Sequence, residues 1–150
     1  MTLPLVSVAV PTYNHAPFLL ACLASIYDQT YPRLELVIVD DGSTDDTPAL
    51  VEQFVADHAE RFEHLTILRQ LNQGVSAASN RAISACHGEW VHLLGSDDLL
   101  YPDKIQVQQQ AIADWNELRL ALVYSDVDFI DGKGQVLSSA TRKRPPPGPD

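Results

Sequence analysis

The chain has 150 residues, of which 45% are hydrophobic and 20% charged; this fits one globular, soluble domain with a real core and excludes a disordered chain. Acids outnumber bases 20 to 10, and three bases (Arg142, Lys143, Arg144) with one acid fall after Thr141, so residues 1–141 carry 7 basic against 19 acidic side chains, a net of −12. Such a surface repels phosphate backbones and argues against a nucleic-acid partner, while a nucleotide held locally by a metal ion stays open.

In chain order, VSVAV (Val6–Val10) reads as a strand buried on both faces, with Pro11 expected to end it. Asn14 is expected to cap a helix that has Pro17 in its first turn and Leu19, Cys22, Leu23 and Ile26 as its apolar stripe. LELVIVD (Leu34–Asp40) is a second buried strand, and Gly42 and Ser43 turn the chain into a helix bearing Leu50, Val51, Phe54 and Val55. Thr44 or Asp45 is the expected cap of that helix. LTILR (Leu65–Arg69) reads as a third strand, followed by an Ala-rich helix, VSAASNRAISAC, with Gly88 as its stop.

EWVHLL is the fourth strand and leads into Asp97 and Asp98. Pro102 opens a further helix with Ile105, Ile112 and Trp115 expected inward. LALVYSDVDFI (Leu120–Ile130) reads as a long strand, turned back into QVL by Asp131-Gly132-Lys133-Gly134. The expected division is a domain over residues 1–140 and a mobile basic, proline-rich tail over 141–150. No run approaches bilayer-spanning length and no basic segment leads into an apolar core at the N-terminus, so a cytoplasmic chain without indicated membrane association is expected. Cys22 and Cys86, far apart in helical segments, fit separate thiols in a reducing compartment.

Strands alternating with helices imply right-handed parallel βαβ units, whose ligands bind beyond the carboxyl ends of the strands. Thr12-Tyr13-Asn14, Asp40-Asp41 and Asp97-Asp98 all fall at that edge. Adjacent carboxylates after a buried strand suit Mg²⁺ or Mn²⁺, which take one or two protein carboxylates and leave positions for substrate phosphates. Asp103 is already available to the following helix, which weakens a purely capping role for the pair. Asp40 and Asp41 have no evident capping duty and can accept from a base N–H or a ribose hydroxyl; Tyr13 can stack on a base. Arg81 reads either as a diphosphate contact or as half of a surface ion pair, the second being the ordinary outcome. No G-x-G-x-x-G or P-loop fingerprint is present, which disfavours a dinucleotide oxidoreductase, and the five histidines lack the i,i+4 spacing of a helical zinc site.

VSVAVPTYNHAPFLLACLASIYDQTYPRLELVIVDDGSTDDT, followed by NQGVSAASNRAISACHGEWVHLLGSDDLLYPDKI, resembles the nucleotide-sugar-binding half of the inverting family 2 glycosyltransferases over Val6 to about Ile130. The resemblance implies a GT-A, Rossmann-like α/β domain with a mostly parallel sheet flanked by helices. It also implies a UDP- or dTDP-sugar donor and Mn²⁺ or Mg²⁺ as cofactor. Pro11 and Tyr13 then belong to the nucleotide site, Asp41 contacts the uracil ring, Asp97 lies near the ribose and Asp98 holds the cation. Many members carry DxDD where this chain has Gly95-Ser96-Asp97-Asp98, and an arginine where it has Ser79. The family's general base lies beyond the metal motif, in the acceptor-binding half, so the chain reads as a donor-binding portion truncated before that half, and Asp126, Asp128 and Asp131 are its late acids. The acceptor is a glycan, a lipid-linked sugar or another sugar. A sugar-nucleotide nucleotidyltransferase, and a nucleotide-binding module without transfer chemistry, are the competing readings.

Overall fold

The structure, a computed structural model, describes residues 3–115 and 120–140. The chain divides into two compact units, Met1–Gln110 and Ala111–Asp150. In the first, β1 (Val6–Thr12), β2 (Leu34–Asp40), β3 (His64–Arg69) and β4 (Trp90–Leu93) form one parallel sheet in the order β3-β2-β1-β4. Helices α1 (Ala16–Tyr27), α2 (Thr47–His58) and α3 (Val75–Ser84) make the crossovers, and α4 (Lys104–Trp115) follows β4 and runs past Gln110. The order grows from β1 to β3 on one side and then returns to place β4 on the other. The switch point therefore opens between the carboxyl ends of β1 and β4.

β2 is buried along its whole length because it is central and covered on both faces. On one face Val6, Val8, Val10, Leu36 and Ile38 meet Leu19, Cys22, Leu23 and Ile26 of α1 and Val51 and Phe54 of α2. Each fully buried aliphatic side chain there contributes about 1.5–3 kcal/mol. On the other face Ala9, Val37 and Val39 meet Ala78 and Ala82 of α3. The small alanines let that helix lie close to the sheet.

Two strand and helix ends differ from expectation. Pro11 does not end β1, which runs to Thr12 with Pro11 in register with Val39. Backbone groups of even-numbered β1 residues face β2, as in the bonds from Val6 N to Arg33 O and from Asp41 N to Thr12 O, whereas Ala9 O accepts from Leu94 N on the β4 side. The missing N–H of Pro11 falls on that β4 side, beyond the last β1–β4 pair, so no ladder bond is lost. α3 ends at Ser84 rather than running to Gly88. Gly88 instead permits close approach to β1: a Cβ there would stand 2.5 Å from Ser7 Oγ and 2.8 Å from Leu5 O.

Glu35 is the one acid within the apolar run of β2 and is fully buried. It accepts from Ser7 Oγ, from His87 N at 2.7 Å and Gly88 N at 3.3 Å, and His87 Nδ1 lies 2.7 Å away. Burial alone would raise its pKa, but the Ser7 hydroxyl and the His87 donors outweigh that and hold it below the ordinary glutamate value. This carboxylate ties β1, β2 and the entry to β4 together at the sheet edge opposite the candidate site.

In the second unit, β5 (Val127–Ile130) and β6 (Val136–Ala140) form the expected antiparallel hairpin. Asp131 Oδ1 closes its turn, accepting from Lys133 N at 2.8 Å and Gln135 N at 2.9 Å, with Gly134 at φ +79°. The strand expected over residues 120–130 is confined to its last four, those that pair with β6. On α4, Ile105 is buried as expected, while Trp115 is exposed. The tail expected over 141–150 lies outside the described residues. Among the described residues no helix is long and apolar enough to cross a membrane.

Candidate functional site

Four loops leave the carboxyl ends of β1 to β4. The first two are interlocked. Asn14 takes a left-handed conformation, φ 51°, which asparagine tolerates, and its Oδ1 accepts from Thr44 N at 2.7 Å and Asp45 N at 3.4 Å. Asn14 N donates to Ser43 Oγ at 2.9 Å. In return Asp45 Oδ2 accepts from Ala16 N at 3.1 Å and Thr47 Oγ1 from His15 N at 3.0 Å. Asn14 thus does not cap its own helix; the N-cap position of α1 is His15, and acceptors from the β2–α2 loop satisfy its free amides. The N-cap of α2 is Asp46, not Thr44 or Asp45, while Asp45 Oδ1 accepts from Thr47 N at 3.0 Å.

Asp40 and Asp41 both have structural duties that the sequence did not suggest. Asp40 Oδ1 accepts from Ser43 N at 3.0 Å. The intervening Gly42 has φ +78°, and a Cβ there would lie 2.9 Å from Asn72 N. Only glycine meets both demands. Asp41 is almost wholly buried; its Oδ1 accepts from Gln70 Nε2 at 2.7 Å and Gln73 N at 2.9 Å, and its Oδ2 from Gly74 N at 2.8 Å. Burial would raise its pKa, but these three donors win and hold the carboxyl below the usual aspartate value. Arg81 is in no ion pair among the described residues: its Nη1 donates to Arg69 O at 3.0 Å and to Gln70 Oε1 at 3.1 Å, which turns the Gln70 amide nitrogen toward Asp41.

Beyond β4, the Leu94–Asp98 loop is tied to β1 by the Leu94 N to Ala9 O bond of 3.0 Å. Ser96 is turned inward and buried, while Asp97 and Asp98 are exposed. The two carboxylates converge over Gly95: Asp97 Oδ1 and Asp98 Oδ2 each lie 3.0 Å from where a Cβ of residue 95 would stand. Glycine at the first position of this motif therefore leaves the space both carboxylates use. Partial burial, then the Asp97 charge, push the Asp98 pKa up. Among the described residues no lysine or arginine pairs with either. Beneath them the buried Cys22 thiol approaches Gly95 O at 3.5 Å, and burial followed by the two aspartates pushes its pKa up to about 12.

The segment after the aspartates is held by two side chains, one on α1 and one just past its C-terminal end. Ser25 Oγ donates to Cys22 O at 2.7 Å and accepts from Leu100 N at 3.1 Å. The buried Gln29 donates to Tyr101 O at 2.7 Å and accepts from Ile105 N at 3.2 Å. Sequence reading missed both, as well as Gln70, His15 and Ser96; only the last two carry a local signal, since they adjoin Asn14 and Asp97.

Pro11, Tyr13, Asp41, Asp97 and Asp98 are thus all placed at the carboxyl edge, with Tyr13 half exposed and Asp41 the most enclosed. The Asp97–Asp98 pair fits a hard divalent cation. Its donors are carboxylate oxygens, they converge on one small space, and their mutual repulsion is relieved by positive charge. No group of three or more acidic, histidine or cysteine ligands occurs among the described residues, so a cation here would complete its shell from water or substrate oxygens.

A family model described as Glycosyl transferase family 2 matches residues 7–144. A chondroitin synthase from Escherichia coli is 36% identical over 136 residues, 91% of this chain and 19% of the synthase. Among solved structures, TarS 1-349 of S. aureus in complex with UDP superposes with a TM-score of 0.66 at 30% identity, over 73% of this chain and 32% of that TarS 1-349 chain. The mannosyltransferase PcManGT from Pyrobaculum calidifontis, in complex with GDP-Man and Mn²⁺, superposes with a TM-score of 0.67 at 35% identity, over 79% of this chain and 34% of that protein. The chain therefore spans about a fifth of the synthase and of TarS, and about a third of the TarS 1-349 and PcManGT chains.

Proposed function

The chain belongs to glycosyl transferase family 2, and from that premise we propose that it is the donor-binding portion of an inverting glycosyltransferase that uses a UDP- or dTDP-sugar with Mn²⁺ or Mg²⁺. The observation that carries this reading is the convergence of the Asp97–Asp98 carboxylates at the β1–β4 switch point, where an open parallel sheet receives its ligand. The neighbours complexed with UDP and with GDP-Man and Mn²⁺ support it.

In this reading Tyr13 and Pro11 flank the base. Asp41, whose Oδ2 accepts a single N–H, retains acceptor capacity for the uracil N–H. Asp97 stands near the ribose and Asp98 holds the cation, which when bound supplies Lewis-acid stabilisation of the diphosphate leaving group. The transfer itself is a displacement: an acceptor hydroxyl forms the new bond to the anomeric carbon as the bond to the nucleoside diphosphate breaks. A carboxylate base takes the hydroxyl proton. Asp131 is a poor choice for that base, since its Oδ1 already closes the hairpin turn. The acceptor, a glycan, lipid-linked or other sugar, is part of the proposal. So is the cytoplasmic placement, to which the free thiols of Cys22 and Cys86 are suited.

Competition of UDP, dTDP, CDP and GDP for a labelled UDP probe tests the donor assignment. UDP and dTDP should displace the probe well and CDP poorly, because neutral cytosine lacks the N–H that Asp41 accepts. Equal displacement by UDP and CDP would remove the base-reading role of Asp41, and preferential displacement by GDP would overturn the donor class.

A further inference from the structure

The Asp97–Asp98 loop is fixed from outside itself by one side chain whose role the donor reading leaves unassigned. His15 Nδ1 lies 2.7 Å from Ser96 Oγ, across 81 residues of sequence. Ser96 directly precedes the aspartate pair and is 1% exposed, and it is the one residue of Ser96–Asp98 that is turned inward. Gly95 has no side chain with which to anchor the loop. The other contacts of this turn involve its backbone: Asp98 N to Gly95 O at 3.0 Å and Cys22 Sγ to Gly95 O at 3.5 Å.

His15 is itself held. Its backbone N–H donates to Thr47 Oγ1, in a fully buried residue at the start of α2, and its ring meets Phe18 edge-on at 6.2 Å between centroids. A chain of contacts therefore runs from α2 through His15 to Ser96, and Ser96 sets where the backbone departs toward Asp97 and Asp98. A serine hydroxyl both donates and accepts, so this bond forms with either ring tautomer.

We propose that His15 is a positioning residue for the metal-binding aspartates, acting through Ser96. The proposal rests on the donor reading above only for what the aspartates hold; the placement of the loop by His15 stands apart from it. Without the His15–Ser96 bond the turn keeps its backbone contacts but loses the side-chain tether that fixes the spacing of the two carboxylates. A divalent cation feels that spacing directly, whereas a base contact at Asp41 does not.

The test measures UDP affinity calorimetrically, with and without Mn²⁺, for the full chain and four variants. His15→Ala and Ser96→Ala should each lower the Mn²⁺-dependent gain about five- to tenfold, the effect of losing one partly buried hydrogen bond, and leave metal-free UDP affinity within about twofold. The double variant should be no weaker than either single one, because both remove the same bond. His15→Asn, which returns a short polar group toward Ser96 Oγ, should recover most of the gain. Additive losses, equal losses with and without Mn²⁺, or failure of His15→Asn to recover would overturn the proposal.

If the parent shows no Mn²⁺-dependent gain, the metal reading fails and a ligand-free measurement decides the role of His15. The amide resonances of Asp97 and Asp98 should move together in His15→Ala and Ser96→Ala and return toward the parent in His15→Asn. Resonances unmoved by either alanine would overturn the proposal on its own terms.

Discussion

Asp41→Ala removes the acceptor for three donors at once: Gln70 Nε2, Gln73 N and Gly74 N. Hydrogen bonds to a charged group contribute roughly 1.5–3 kcal/mol each, which sets the ceiling. Gln73 and Gly74 lie in an exposed loop, so water reaches the freed amides and about 1 kcal/mol per lost bond is the better figure. The sum, about 3 kcal/mol, corresponds to roughly a hundredfold in a local opening equilibrium. Native-state hydrogen exchange read at Gln73 and Gly74 by NMR should therefore accelerate about a hundredfold in Asp41→Ala. Asp41→Asn, which keeps one carbonyl acceptor, should accelerate it less. Because the Asp41 pKa is held below its ordinary value of 3.8, this contribution is present above about pH 3.8 and lost only as pH falls through the lower folded value. Exchange at both amides unchanged in Asp41→Ala would refute the anchoring role.

At the opposite sheet edge, Glu35→Ala strands the Ser7 hydroxyl proton and the His87 amide, while Gly88 N keeps Ser7 Oγ as its acceptor, and it should lower stability by about 3 kcal/mol, read as a lower urea midpoint with an unchanged slope, whereas Glu35→Gln should lose less. His92 is partly buried beside Lys104, 3.4 Å from its Nζ; that burial first, then the charge, lower its pKa from 6.5 to about 4. An unfolded chain takes up this proton below pH 6.5 and the folded one only near pH 4, so stability should fall by on the order of 3 kcal/mol across that window. His92→Gln should flatten the pH dependence of Tm there, and an unaltered profile would count against the assignment.

The apolar run of β2, the stripe on α1 and the small-residue face of α3 were legible because burial on both faces of a parallel sheet imposes hydrophobicity position by position. The carboxyl-edge location of Asp41, Asp97 and Asp98 followed from the same alternation of elements. What the residues alone did not disclose were pairings between distant polar groups. Asn14 looked like the cap of its own helix because it precedes Pro17, yet it serves the β2–α2 loop; nothing local distinguishes the two. Pro11 looked like a strand end because its missing N–H has meaning only once the side facing β4 is known. Glu35 and Ser96 are polar residues whose partners lie 52 and 81 positions away, and no periodicity reports such a bond. Trp115 shows the converse: helical spacing names a face, but whether anything covers it is decided by tertiary structure.

The most direct measurement is a calorimetric titration of UDP into the chain with and without Mn²⁺, repeated on Asp98→Ala. Mn²⁺ should tighten UDP binding in the parent, since a cation held by Asp98 would relieve the repulsion between Asp97 and Asp98 and offset the charge of the diphosphate. In Asp98→Ala the two titrations should coincide. An Asp98→Ala chain that binds UDP with Mn²⁺ as tightly as the parent would contradict the assignment of Asp98 to the cation.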